Sequence, residues 1–239
     1  MRQRIYWLFI GLVGIVLFES CEDKIDPDVK YAGALHEMMS GDLQARISLD
    51  SFSQKQNLYA LGAIENLKGE VQIFDSEPNN SVVDNREIIL DKTFDKKAVL
   101  LVYVQVPKWQ NFEIPAKINS IAKLEDFIAQ KASDYARVIT EPFPFLIEGS
   151  PKSLDWHVID WKDGDTVHTH QKHKETGLKG ILQKKKVEII GFYSTAHKGV
   201  FTHHSTLVHM HFKTADDKLA GHVDKLVLGR NMILKLPVL

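Results

Sequence analysis

Strand-like hydrophobic patterns dominate this chain, interrupted by one clear helical stretch. Val99 to Val106 is β-branched and apolar throughout, the pattern of a strand buried on both faces. Leu58 to Ala63 is a second apolar run, and Gly69 to Asp75 keeps part of a period of two. Between Ile121 and Ile139 the period changes: Leu124, Phe127, Ile128, Ala132 and Tyr135 recur at helical spacing. Ser120 offers the N-cap, and Pro142 and Pro144 close the segment. Ala34 to Met39 predicts a short helix that stops at Gly41. Beyond Phe145 strands return, at 145–148, 154–161, 187–194, 206–212, 221–228 and 232–236. Ser76 to Asn80 and Lys162-Asp163-Gly164-Asp165 carry turn residues. The pattern predicts a sheet-dominated α+β chain in two halves, hinged near residues 140–145.

The start of the chain reads differently. Arg2 and Arg4 precede an apolar run from Ile5 to Phe18, which is short for a bilayer span and suits a secretory signal. An uncleaved N-terminal anchor is the alternative reading. Phe18-Glu19-Ser20-Cys21 resembles a bacterial lipobox, in which the cysteine becomes an acylated N-terminus; Glu19 departs from the usual small or apolar residue. Cys21 is the single cysteine. Once acylated it offers neither a disulfide nor a thiolate, so any metal must be held by His, Asp or Glu. The expected organisation is a signal peptide over 1–21, a tether over 22–30, an N-terminal subdomain over 31–140 and a C-terminal subdomain over 141–239. Glu22, Asp23 and Asp26 resemble export tags of some surface lipoproteins, which points to the cell envelope, facing the periplasm or on the outer-membrane surface.

Charge narrows the partners. With 30 Lys and Arg dispersed among 31 Asp and Glu, no basic stripe is available to track phosphates, so nucleic acid is not expected as a partner.

Histidine placement carries the chemistry. His209 and His211 are two apart, so on a strand both rings face the same side. A tight hairpin centred between Asp216 and Asp217 would set His222 directly across from His211, with Cβ atoms about 5 Å apart. Three imidazoles converging there leave a fourth tetrahedral position open, the catalytic arrangement for zinc. A His-rich polar face on a surface hairpin is the competing reading. His168, His170 and His173 are interleaved with Lys172 and Lys174, which repel a cation and suggest a solvated loop. His203 shares the parity of His209 and either lines the same cavity or sits in a loop. Glu70 lies in an apolar strand, so it faces solvent or a polar cavity where a raised pKa would suit proton transfer.

These residues together resemble the acetolactate decarboxylase family. Leu67 to Asp75 is similar to the family segment that contributes an active-site glutamate. Gly191 to Thr195, Val208 to Phe212 and Gly221 to Asp224 resemble its zinc-binding half, and Ala34-Leu35-His36 its opening helix; the likeness runs from about Tyr31 to Pro237. It implies two related mixed-sheet subdomains with few helices and a metal site between them. It further implies a zinc held by His209, His211 and His222, chelating the hydroxyl and keto oxygens of a small oxo acid and stabilising the enediolate left by CO2. Glu70 would then handle the proton that gives acetoin, and the family tends toward homodimers. Two family features lack counterparts. The family's substrate-binding arginine falls where this chain has none between Arg137 and Arg230. His157 stands there in one register, and His168 or His170 in another. The family's C-terminal glutamate lies beyond the segment matching Leu234 to Pro237. The alternative is therefore a non-catalytic or substrate-altered metal-binding lipoprotein on the same fold.

Overall fold

The computed structural model describes residues 26–135 and 140–238. Cys21 and the apolar run before it lie outside the described residues, as does the predicted end of the long helix at 136–139.

Two eight-stranded sheets make up most of the molecule. The first contains β1 (Lys30–Ala32), β2 (Ile47–Ser48), β3 (Leu58–Ile64), β4 (Glu70–Phe74) and β5 (Glu77–Pro78). It is completed by β6 (Asn80–Asp84), β7 (Glu87–Asp91) and β8 (Lys97–Gln105). Its main order is β1-β8-β3-β4-β6-β7, with β2 on β8 and β5 on β4. The second contains β9 (Trp109–Glu113), β10 (Phe143–Gly149), β11 (Ser153–Val158) and β12 (Leu178–Leu182). To these it adds β13 (Val187–Tyr193), β14 (Val208–Thr214), β15 (Ala220–Val227) and β16 (Ile233–Pro237). Its order is β12-β11-β15-β14-β13-β10-β16-β9.

All the strand pairings within both sheets are antiparallel, which corrects the mixed sheets expected above. The physical reason is in the connections. Adjacent strands such as β3–β4, β6–β7, β13–β14 and β14–β15 follow one another directly in sequence, without the helical crossover that a parallel pair needs. The fold is therefore mostly β. Three helices accompany the sheets among the described residues: α1 (Leu35–Met39), α2 (Ile121–Asp134) and α3 (His170–Glu175). None of them is long and apolar enough to cross a membrane.

Three layers of packing hold this together. One face of the second sheet is covered by α2 through Leu124, Phe127 and Ile128. Its other face meets the first sheet, where Leu61, Leu100 and Val102 pack with Leu146, Ile190 and Phe192. The outer face of the first sheet buries Leu49 and Phe52 of a 3-10 turn against Leu58, Ile73 and Leu101. Strand β8 thus feeds apolar side chains to both of its faces, as its unbroken Val/Leu pattern predicts. Two elements preceding residue 140, β9 and α2, belong with the second sheet: β9 pairs along β16, and α2 lies on its apolar face. The cap of α2 is the expected one, with the Ser120 hydroxyl accepting from the Lys123 N–H.

Candidate metal centre and its cavity

The β14–β15 hairpin has the register its loop length predicts. His211 pairs with His222, Phe212 with Gly221 and Lys213 with Ala220. Pairing continues outward on the same row, with Ile190 of β13 beside His211 and His157 of β11 beside His222. Ile190 packs into the layer between the sheets, so the whole row faces the first sheet. Close approach of β11 depends on Gly221, because a Cβ there would come within 2.7 Å of the His157 carbonyl oxygen.

On that face the three rings of the hairpin converge. His209 Nε2 lies 3.2 Å from His211 Nε2 and 3.3 Å from His222 Nδ1, and the latter two are 3.3 Å apart. A tetrahedral ion with metal–nitrogen bonds of about 2.0–2.1 Å needs ligand atoms about 3.3–3.4 Å apart. The triangle therefore has the size of one tetrahedral face. The lone pairs are arranged for it as well. Gln72 of β4 uses its Nε2 to donate to Ser81 Oγ at 3.0 Å and to the Asn79 carbonyl, which leaves its Oε1 to accept from His211 Nδ1 at 3.0 Å. With its N–H spent there, His211 presents an unprotonated Nε2 to the triangle. These three residues could hold a metal ion.

Burial keeps the rings neutral. It pushes His209 down to about 3 and holds His211 and His222 well below the ordinary imidazole range, with neighbouring imidazoles adding to the effect. In the unfolded chain the same groups titrate near 6.5. The metal-free protein is therefore expected to have the full contribution of His209 above about pH 6.5. It loses that contribution as pH falls toward 3, at up to about 1.4 kcal/mol per pH unit. Burial raises Glu70 to about 7, so it offsets part of this loss between that pH and the unfolded carboxylate range. Urea midpoints measured with chelator between pH 8 and 4.5 should fall toward the acid end; a flat profile would mean the rings are hydrated.

Glu70 belongs to the same group of side chains, although it comes from the first sheet. Gly69 precedes it at φ 144, where a Cβ would strike the Ser81 carbonyl oxygen at 2.3 Å. The carboxylate is only 4% exposed, and its Oε1 accepts from the Ile159 N–H at 3.2 Å. Oε2 stands 3.8 Å from His211 Nε2. Of the two orientations open to it in the sequence, the carboxylate faces inward.

His157 stands beside this carboxylate. Its Nδ1 donates to Asp224 Oδ2 at 2.9 Å, its Nε2 lies 3.7 Å from Glu70 Oε1, and its ring centre is 4.7 Å from that of His222. Asp224 is the extra residue of a β-bulge: Trp156 pairs with Val223 and Asp155 with Lys225. Bulges re-aim side chains in this way. Lys174 of α3 binds the other Asp224 oxygen at 2.6 Å. His203 has rings of His209 and His222 at 6.0 and 5.7 Å and lines the cavity from the loop that precedes β14, so both of its readings hold and strand parity is not what brings it there.

The 168–174 segment departs from the solvated loop expected of it. Trp161 draws it in: the His168 ring stacks on the indole at 4.4 Å, and His173, nearly buried, meets the same indole edge-on at 4.7 Å. His170 is the first residue of α3. The cavity over the triangle has a volume of about 60 Å³, with Gly62, Leu67 and Leu100 of the first sheet's half forming its far wall. Sequence reasoning missed Gln72 and Asp224. The period of two could have found Gln72, since it shares a face with Glu70.

No family model matches the chain, and no curated protein sequence does. Solved structures do. A Staphylococcus aureus protein of unknown function, described as similar to alpha-acetolactate decarboxylase, is 17% identical with a TM-score of 0.66, over 87% of this chain and 84% of that one. The alpha-acetolactate decarboxylase of Bacillus subtilis strain 168 is 14% identical with a TM-score of 0.69, over 89% and 86%. The enzyme of B. subtilis subspecies spizizenii gives 14% and 0.68, over 89% and 87%. At these identities the likeness is one of fold.

Proposed function

We propose that this chain is a zinc-dependent decarboxylase that converts acetolactate, or a similar 2-hydroxy-3-oxo acid, to acetoin or its analogue. The observation that carries this reading is the tetrahedral-sized nitrogen triangle with a buried carboxyl group 3.8 Å from one of its corners. The fold likeness to alpha-acetolactate decarboxylase supports it.

His209, His211 and His222 would hold the zinc, because three neutral imidazoles and an open fourth position suit a catalytic ion. Bound there, zinc would supply a Lewis acid for the electron pair released when CO2 departs. The remaining work falls to side chains. The substrate's bond to its carboxylate breaks, CO2 leaves, and the carbon takes one proton. Glu70 is placed to give that proton, since burial raises its carboxyl group to about 7 and so keeps it partly protonated near neutral pH. It then regains a proton from water. His157, fixed by Asp224, directs its Nε2 edge toward the same side of the cavity and orients the substrate's polar end. The apolar far wall limits water around the reacting carbon.

One observation favours the second reading, a substrate-altered metal-binding protein. Of the described residues around this cavity, Lys174 supplies the permanent cation, and its ammonium group is paired with Asp224. A histidine does not reproduce a guanidinium fork. Zinc analysis of the purified full chain, combined with CO2 and acetoin detection on acetolactate, separates the two. Zinc without CO2 release selects the second reading.

We also infer that Cys21 is lipidated and anchors the protein in the cell envelope, with a homodimer as its assembly. The basic-then-apolar start and the lipobox-like Phe18 to Cys21 support the anchor. Cys21→Ala is expected to abolish incorporation of labelled palmitate into the protein; an unlabelled parent chain, or labelling that persists in the variant, would rule out acylation at Cys21.

A further inference from the structure

The cavity over the histidine triangle adjoins a larger chamber of about 580 Å³, and Leu35, Met38, His173 and His203 line both. The outer chamber lies between α1 and the loop at 199–205. These two walls are tied together: the Leu35 and His36 N–H groups donate to the carbonyls of Val200 and Gly199 at 2.7 and 2.9 Å, and His36 Nδ1 donates to the Gly199 carbonyl at 2.9 Å. The chamber is therefore preformed by the backbone, although it is open at its mouth.

Its chemistry is selective. Among the described residues no Lys, Arg, Asp or Glu lines it, so it offers no permanent charge to a second carboxylate or a phosphate. Leu35, Met38 and Met39 give it an apolar side, and methionines adapt to chains of varying shape. Met39 is 38% exposed, so its side chain is accessible to a ligand entering the chamber. The imidazoles of His36 and His204, the hydroxyls of Ser40 and Ser205, and Gly199 complete the lining.

We infer that the outer chamber receives a hydrocarbon substituent of the substrate, so that the class acted on is a 2-hydroxy-3-oxo acid bearing an alkyl chain longer than the methyl groups of acetolactate. This rests on the decarboxylase reading of the inner cavity. The inner cavity takes the polar head, with His203 and Met38 at the junction and the chain lying along α1.

The test uses the zinc-loaded full chain and acetolactate analogues in which one methyl is lengthened to propyl and then pentyl, on either carbon in turn. Expected is a rise in kcat/KM of about fourfold for each methylene buried, until the chamber is filled. Met39→Glu, at an exposed position remote from the triangle, should cut the advantage of the pentyl substrate at least tenfold, an effect of about two buried methylenes. The rate on acetolactate itself should be unchanged. A flat profile across the series, with CO2 released from acetolactate, overturns the chamber assignment and leaves the decarboxylase reading intact. If no substrate releases CO2, calorimetric binding of straight-chain 2-hydroxyalkanoates from four to eight carbons (a probe set of our choosing, about fourfold tighter per methylene) decides the chamber alone. Affinity independent of length then overturns it.

Discussion

His211→Ala is expected to strip the purified chain of zinc, from about one ion per chain to none after dialysis, the outcome of opening a three-ligand site. The expectation follows from where this ring sits. It is 1% exposed, supplies one corner of the nitrogen triangle, and is the corner whose tautomer Gln72 fixes. Two remaining imidazoles, His209 and His222, would hold an ion in competition with water, and the substitution also leaves Gln72 Oε1 without its donor. Gln72→Ala provides the graded comparison. It spares all three nitrogens and removes the group that orients one of them, along with that side chain's bonds to Ser81 and Asn79, so affinity should fall about 10–100-fold while stoichiometric zinc is still reached at high concentration. Atomic absorption on both variants, with circular dichroism to verify folding, checks the pair. Full zinc retention in folded His211→Ala would mean the triangle is packing and not a site.

Much of this centre could be read in the sequence because it obeys two simple periodicities. Side chains alternate along a strand, so His209 and His211 share a face, and a tight turn around Asp216 and Asp217 fixes the partner of His211 as His222. What escaped depends on departures from those periodicities or on distant contacts. Asp224 reaches His157 through a bulge, and a bulge leaves no mark in a pattern of polar and apolar residues. The 168–174 segment is rich in Lys and His, which reads as solvated; only the stacking on Trp161 folds it in. Strand β9 is an edge strand with three of its five residues exposed, so it carries little hydrophobic signal. The β6–β7 hairpin did leave a signal: Val82-Val83 and Ile88-Ile89 flank Asn85 and Arg86, both at positive φ, the backbone of a two-residue turn. The expectation of mixed sheets came from resemblance and not from the pattern. The direct succession of strands favours the antiparallel arrangement that the fold adopts.

Glu70→Gln separates holding the ion from using it. The amide keeps the size of the side chain, and its carbonyl oxygen can still accept from the Ile159 N–H that Oε1 of the carboxylate accepts from at 3.2 Å. The hairpin that carries the three imidazoles belongs to the other sheet and is untouched, so zinc content is expected to match the parent chain. What the amide cannot do is give up a proton and regain it. Loss of a positioned general acid typically costs about 10²–10⁴-fold, and a fall of that size in kcat with little change in KM is expected here. The carboxyl group is costly where it lies, because its burial is what raises it to about 7. Removing the ionisable group should therefore leave the fold as stable as before, or more so at alkaline pH, where the parent must ionise a buried acid. A variant that loses turnover without losing zinc or stability gives the carboxyl group a chemical role. Unchanged turnover would assign the proton to another group, and His157, with its Nε2 edge 3.7 Å from the same carboxylate, is the next to substitute.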